Sequence, residues 1–338
     1  MEEQQIINQA TEEVTAIINT GIFPSVVDYT KKNEFSKARS YFKIAGINVC
    51  VESDLDRKQQ KFKSELMAFA VDSPGDDNVT LRHHFGLPDL TGLDLGAEVY
   101  RRAPWAIYHK HDCWIYRGIL PMVNEEALHR FAIFSADYKE AIIFSPPQSL
   151  VDIRENGFQS LSLFPTDQIW LAPLLAERDA VLLHSAAALI NGLGFIFVGH
   201  SDAGKSTTME LLRNANCKKQ LDVEILCDDR NIIRRWSDGW HVHGTWSHGD
   251  IADVSPNGAP LKGIFFLEQA PVNIIVPLTD RKQSWRRLLA TLIKPMVTEK
   301  WWQQEIDIIE QIINQVPCYS MLFDKSGAIV SELERLSK

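Results

Sequence analysis

The chain has 338 residues, enough for two domains each with a sizeable core. Its 45% apolar and 23% charged content are those of an ordinary globular protein, and its formal net charge of −9 argues against a partner bound by neutralising nucleic-acid phosphates. Five widely spaced cysteines without a C-x-x-C pair suit a reducing compartment, the acidic start Met1-Glu2-Glu3 is wrong for a signal peptide, and no apolar run approaches a membrane span. The expectation is a cytoplasmic protein with neither nucleic-acid nor membrane partners.

Residues 3–19 place Ile6, Ile7, Val14, Ile17 and Ile18 on one stripe of an amphipathic helix, and residues 28–39 are a polar, lysine-rich connection. The stripe is compatible with self-association without establishing it. From residue 41 to about 147 the pattern turns to strands: 41–51, 66–71, 79–84, 99–101, 105–109, 113–116 and 130–134, with His111-Asp112 as a hairpin turn. His109, His111, Asp112 and Cys113 have metal-binding chemistry, although residues of that kind on a turn beside Trp and Tyr are more often surface groups.

A helix over 165–178, weakened by Pro173, joins this β-rich region to the next. Strand 181–190 follows and carries His184. Asn191-Gly192 then turns the chain into strand 195–198. Further strands are expected at 225–227, 231–236, 240–244, 263–267, 273–277 and 318–323, and helices at 284–293, 299–316 and 328–337. His241 and His243 lie two apart on one strand face of the 231–244 hairpin with His248 nearby, where outward-facing residues are the better reading than a zinc site.

The chain is organised around Gly199-His200-Ser201-Asp202-Ala203-Gly204-Lys205-Ser206, which meets the pattern G-x-x-x-x-G-K-[ST] at every fixed position. An apolar strand enters it and a helix opening with Thr207 leaves it. Backbone N–H groups and a helix N-terminus therefore converge where phosphate would lie. Gly199 and Gly204 allow turns and close approach that a Cβ would block. Lys205 would reach the β- and γ-phosphates, and the Ser206 hydroxyl would face Mg²⁺. One helix and one strand later come Asp228 and Asp229, a pair suited to dividing labour: one orients the metal with Ser206, the other accepts the proton of an attacking hydroxyl. Arg230 follows directly, and Arg281, Arg286 and Arg287 are weaker candidates for an arginine at the γ-phosphate.

His184, residues 199–206, Cys227-Asp228-Asp229-Arg230 and Gly244-Thr245-Trp246-Ser247-His248-Gly249-Asp250 together resemble the HPr kinase/phosphorylase-like proteins, over about residues 181–270. Those proteins share a nucleotide-binding fold with phosphoenolpyruvate carboxykinase. The upstream β-rich region looks like that of kinase-like members, some encoded beside peptide-modifying genes. The resemblance implies ATP and Mg²⁺, with phosphate passing to a serine hydroxyl of a protein, peptide or small molecule. By position it gives Lys205 and Ser206 to the loop, Asp228 to the proton, Asp229 to the metal, and a site role to His184. Thr207 stands where the bifunctional members carry an acidic residue, and their phosphorolysis signature is not matched after Gly249, so neither phosphorolysis nor HPr as acceptor is expected.

The expected architecture is α/β. An N-terminal helix and connection (1–40) and a β-rich domain (41–164) precede a carboxykinase-like phosphate-loop domain (165–338). The expected activity is serine phosphorylation. A non-catalytic ATP-binding regulator and an ATPase acting on a partner are the alternatives. A carboxykinase itself is not expected, because the chain is short and lacks matching oxaloacetate-binding elements.

Overall fold

The computed structural model describes residues 2–23, 38–55, 58–119, 128–162, 164, 167–218, 221–294 and 298–338. The protein is mixed α/β, with two large β-sheets and several helices. It divides into two compact units, Met1–Asp167 and Gln168–Lys338. Most of the expected 28–39 connection, and the first two residues of the expected 165–178 helix, lie outside the described residues.

The first unit runs α1 (Glu2–Thr20), β1 (Ala38–Ile44), β2 (Ile47–Ser53), α2 (Ser64–Met67), β3 (Ala70–Val71), β4 (Asn78–His84), β5 (Ala97–Arg102), β6 (Trp105–Lys110), β7 (Cys113–Gly118), β8 (Phe131–Ser135), β9 (Glu140–Phe144) and α3 (Ser149–Asn156). Its sheet has the order β3-β1-β2-β4-β9-β8-β7-β6-β5. Pairing is parallel at β2–β4 and β4–β9 and antiparallel elsewhere. Alternation puts Cys113 and Ile115, Phe131 and Ile133, and Ile142 and Phe144 on one face, where Ala10, Val14, Ile17 and Ile18 of α1 join them in a core. Each of those fully buried Val or Ile side chains contributes roughly 1.5–3 kcal/mol. The α1 stripe is therefore used within its own unit, while Ile6, expected on the same stripe, stays 45% exposed.

Two expectations need correcting here. The 41–51 run is two strands, because Ala45 and Gly46 both take positive φ and form a two-residue turn between Ile44 and Ile47. The 66–71 run is the single turn α2 followed by the two-residue β3, since Leu66 and Phe69 are buried at a helical spacing of three rather than in alternation. Strand β9 and helix α3 were not anticipated.

The second unit runs α4 (Gln168–Ala176), β10 (Ala180–Ile190), β11 (Leu193–Val198), α5 (Lys205–Cys217), β12 (Val223–Cys227), β13 (Arg230–Trp236), β14 (Gly239–Gly244), β15 (Gly258–Gln269), β16 (Ile274–Pro277), α6 (Arg281–Leu289), α7 (Glu299–Gln315), β17 (Cys318–Phe323) and α8 (Ile329–Leu336). The long strands β10 and β15 each change partners along their length. β10 pairs with β13 over its first half and with β12 over its second, with a register shift at Ala187/Ala188. β15 pairs with β14 at its start and runs parallel to β11 and β17 thereafter. Because β11 also pairs with β10, the strands β10, β13, β14, β15 and β11 close a ring.

Alternation along β11 and β15 gives this unit two cores. Ile196, Val198, Ile264 and Phe266 face Leu288 of α6 and Ile308, Ile309, Ile312 and Ile313 of α7. Phe195, Phe197, Phe265 and Leu267 face Met209 and Leu212 of α5 and Ile329 and Leu333 of α8. Helices thus cover both faces of the parallel β11–β15–β17 segment, which is why its strands read as nearly continuous apolar runs. The carboxyl ends of β11, β15 and β17 lie together, where open α/β sheets place ligands. Among the described residues, no helix is long and apolar enough to cross a membrane.

Candidate functional site

The glycine-rich segment is the loop between β11 and α5. Gly204 sits at φ 104° immediately before α5, and a Cβ there would meet the Phe323 ring at 2.6 Å. A Cβ on Gly199 would meet that of Ala203 at 2.5 Å. Both positions therefore require glycine. Asp202 also takes positive φ, and its carbonyl accepts from Gln269 Nε2 at 2.6 Å, which ties the loop to the end of β15. The Ser201 carbonyl accepts from His200 Nδ1, and the buried Ala203 donates its N–H to the His200 carbonyl. Among the described residues no side chain caps the N-terminus of α5, so its first amides are available to an anion. Thr207 stands in that first turn.

Lys205 is only 8% exposed. Its Nζ donates to the carbonyls of Gly199 at 2.9 Å and His200 at 3.2 Å, which folds the side chain over the loop. Burial holds its pKa below the ordinary lysine value, against the opposing pull of Asp229, Asp228 and Asp202. Ser206 is partly exposed and donates to Asp250 Oδ2 at 3.3 Å. Two oxygen donors beside a phosphate cradle fit Mg²⁺, which is held through few protein oxygens together with substrate phosphates.

The acidic pair lies in the turn from β12 to β13, where β10 exchanges one neighbour for the other. Asn231 fixes that exchange point by donating its Nδ2 to the carbonyls of Ser185 (2.7 Å) and Cys227 (3.1 Å). Asp228 is 3% exposed, and its two oxygens accept from the backbone amides of Gly249 at 2.6 Å and Ile251 at 2.9 Å. It thus anchors the segment that presents Asp250 to Ser206. An ionised carboxylate has about four acceptor positions, so two amide bonds leave accepting capacity.

Asp229 points elsewhere. His184 Nδ1 lies 2.9 Å from its Oδ1, and Arg230 Nη1 pairs closely with its Oδ2. Burial pushes this carboxyl up, but the His184 hydrogen bond and the charges of Arg230 and Lys205 carry it below the usual carboxylate range. Arg230 also donates to Ser247 Oγ at 3.0 Å. The structure thus brings His184, Lys205, Ser206, Asp228, Asp229 and Arg230 to one end of the sheet.

Two of the other candidate arginines are engaged: Arg281 donates to Asn314, and Arg287 to Glu268. His109 lies against Trp114, His241 against Asp238, and His243 accepts from Trp236 Nε1. Among the described residues no group of three or more His, Cys, Asp or Glu is arranged to hold a metal. Asp250 and Asn231 were not singled out from sequence as site residues. Asp250 stands in the 244–250 segment and was open to recognition there, whereas nothing local to Asn231 signals that it spans two strands.

No protein-family model matches this sequence, and no curated protein matches it either.

Proposed function

We propose that the second unit is a carboxykinase-like nucleotide-binding domain of the HPr kinase type. On this reading it transfers the γ-phosphate of ATP, with Mg²⁺, to a serine hydroxyl of a protein, peptide or small molecule. The observation that carries this reading is the convergence on Lys205. A buried lysine folded over a glycine-bounded loop, an uncapped helix N-terminus, the Ser206–Asp250 pair and the Asp228-Asp229 turn all meet at one sheet end. A structural loop needs none of these charges together.

In this reading the amides of residues 204–207 hold the phosphate chain, and Lys205 exchanges its two carbonyl partners for phosphoryl oxygens. Ser206 and Asp250 would hold Mg²⁺, which would offset charge on the phosphates. Asp228, fixed by two amides, takes the proton of the acceptor hydroxyl as that oxygen attacks in line. His184 and Arg230 orient Asp229 from opposite sides. Most of the rate gain would come from this prearranged charge.

The test is incubation with ATP, Mg²⁺ and serine-containing peptides, followed by mass spectrometry, with Lys205→Ala as control. One added phosphate on serine that depends on Lys205 supports the kinase. Steady ADP release with no labelled acceptor would favour an ATPase instead.

A further inference from the structure

A cavity of about 730 Å³ borders the loop, and all its lining residues belong to the second unit. Its walls are mainly apolar, with Val198, Phe266, Leu292 and Ile293. One wall is the segment after α6. There the Thr291 carbonyl accepts from His184 N–H and the Ile293 N–H donates to the Leu182 carbonyl, both at 2.8 Å, which fixes the segment along the start of β10. A volume of this order holds a drug-sized molecule or a short peptide segment, far more than a phosphate requires.

Three markers say which end of the nucleotide this cavity faces. His184 lines it, and His184 is the partner of Asp229. Gly199 and His200 line it as well, and their carbonyls hold the Lys205 ammonium. Ser206 and Thr207, on the helix side where the α-phosphate and nucleoside would follow, do not line it. The cavity therefore opens toward the γ-phosphate.

Its arginine is already engaged. Arg287 donates to Glu268 at 2.7 Å and lies 4.7 Å over the Phe266 ring, while Asp202 on the wall opposes an acidic group.

We infer that this cavity is the acceptor pocket, and that it takes an uncharged, apolar residue next to the serine that is phosphorylated. The inference rests on the nucleotide reading above and adds the side of approach and the chemical class of the acceptor. The apolar neighbour enters between Phe266 and the 290–293 segment, and the serine hydroxyl is left at the mouth beside His184. The hydroxyl oxygen forms its bond to the γ-phosphorus as the bond to the bridging β,γ-oxygen breaks. ADP leaves with that electron pair, and the hydroxyl proton passes to Asp228.

Ala290 lines the cavity from an exposed position at the end of α6, so Ala290→Trp narrows the pocket without entering the core. The experiment uses the full chain, the fluorescent nucleotide mant-ADP with Mg²⁺, and blocked tripeptides with a central serine flanked by Leu, Phe, Asp or Lys. Wild type, Ala290→Trp and the conservative Ala290→Ser should bind mant-ADP within about twofold of one another. Wild type should prefer Leu or Phe flanks over Asp or Lys by about tenfold in kcat/KM, and Ala290→Trp should lose about tenfold or more on the preferred peptides while Ala290→Ser loses little.

Loss of mant-ADP affinity in Ala290→Trp would assign the cavity to the nucleoside and overturn the inference. So would unchanged peptide phosphorylation in that variant, a preference for charged flanks, or mant-ADP binding by the wild type with no peptide labelled. Failure of the wild type to bind mant-ADP would instead remove the nucleotide reading itself, and the pocket with it.

Discussion

Two clusters in this protein start from the same chemistry, an imidazole hydrogen-bonded to a carboxylate, and end differently. In the first unit His84, at the end of β4, lies 3.0 Å from Asp54 Oδ1 and 3.7 Å from Glu13 of α1, and its ring stacks on Phe144. The second Asp54 oxygen accepts from the Phe85 amide. Burial alone would lower the His84 pKa, but Asp54 and Glu13 raise it to about 9. In the second unit His184 meets one carboxylate, whose other oxygen takes Arg230, and it stands on the wall of an open cavity beside Lys205. The first cluster surrounds its imidazole with acids and aromatic packing. The second leaves one side of it toward a volume where a reactant fits. A perturbed charge pair marks a site only when something can reach it.

The largest effect that bears on this contrast is expected at Lys205. Lys205→Ala should lower phosphate transfer on the order of 10²–10³-fold with little change in melting temperature, whereas His84→Ala should leave transfer intact and lower stability. Next comes Asp228. Asp228→Ala strands the Gly249 and Ile251 amides and should cost about 3 kcal/mol in denaturant unfolding, with Asp228→Asn costing less because one accepting oxygen remains.

The closed cluster has its own signature in pH. A folded-state pKa raised from 6.5 to about 9 gives His84 a stabilising share that is complete below 6.5 and is lost as pH rises through about 9. The stability difference between wild type and His84→Gln should therefore shrink by about 3 kcal/mol across that window.

A second pH signature is expected at Glu305 on α7, which is fully buried with neither oxygen hydrogen-bonded among the described residues. Burial pushes its carboxyl up to about 9, so its share of stability falls as pH rises from 4.5 to about 9. Glu305→Gln should stabilise by several kcal/mol more at pH 8 than at pH 5. Thermal unfolding at the two pH values checks it.

Much of the second unit was legible in sequence because its signals are local. Asn191-Gly192 marks the β10–β11 hairpin, residues 199–206 mark the loop between β11 and α5, and the α7 pattern repeats at helical spacing. The β12–β13 turn at Asp228-Asp229 was legible for the same reason. The rest depends on contacts between distant residues. The side-chain directions of Asp228 and Asp229 are set by amides more than twenty residues away and by His184 on another strand. The cavity is built from four separate segments, His184 on β10, the loop, the end of β15 and residues 287–293, and no spacing rule joins them. In the first unit, α2 was read as strand because a run of six residues does not separate a period of two from a spacing of three.

The central claim is that Lys205 and its loop form a nucleotide phosphate site, and calorimetric titration of ADP with Mg²⁺ into wild type and Lys205→Ala tests it most directly. Saturable one-site binding by the wild type and a loss of affinity of about a hundredfold in the variant are expected. Equal affinity in the two proteins, or no binding by the wild type, would contradict it.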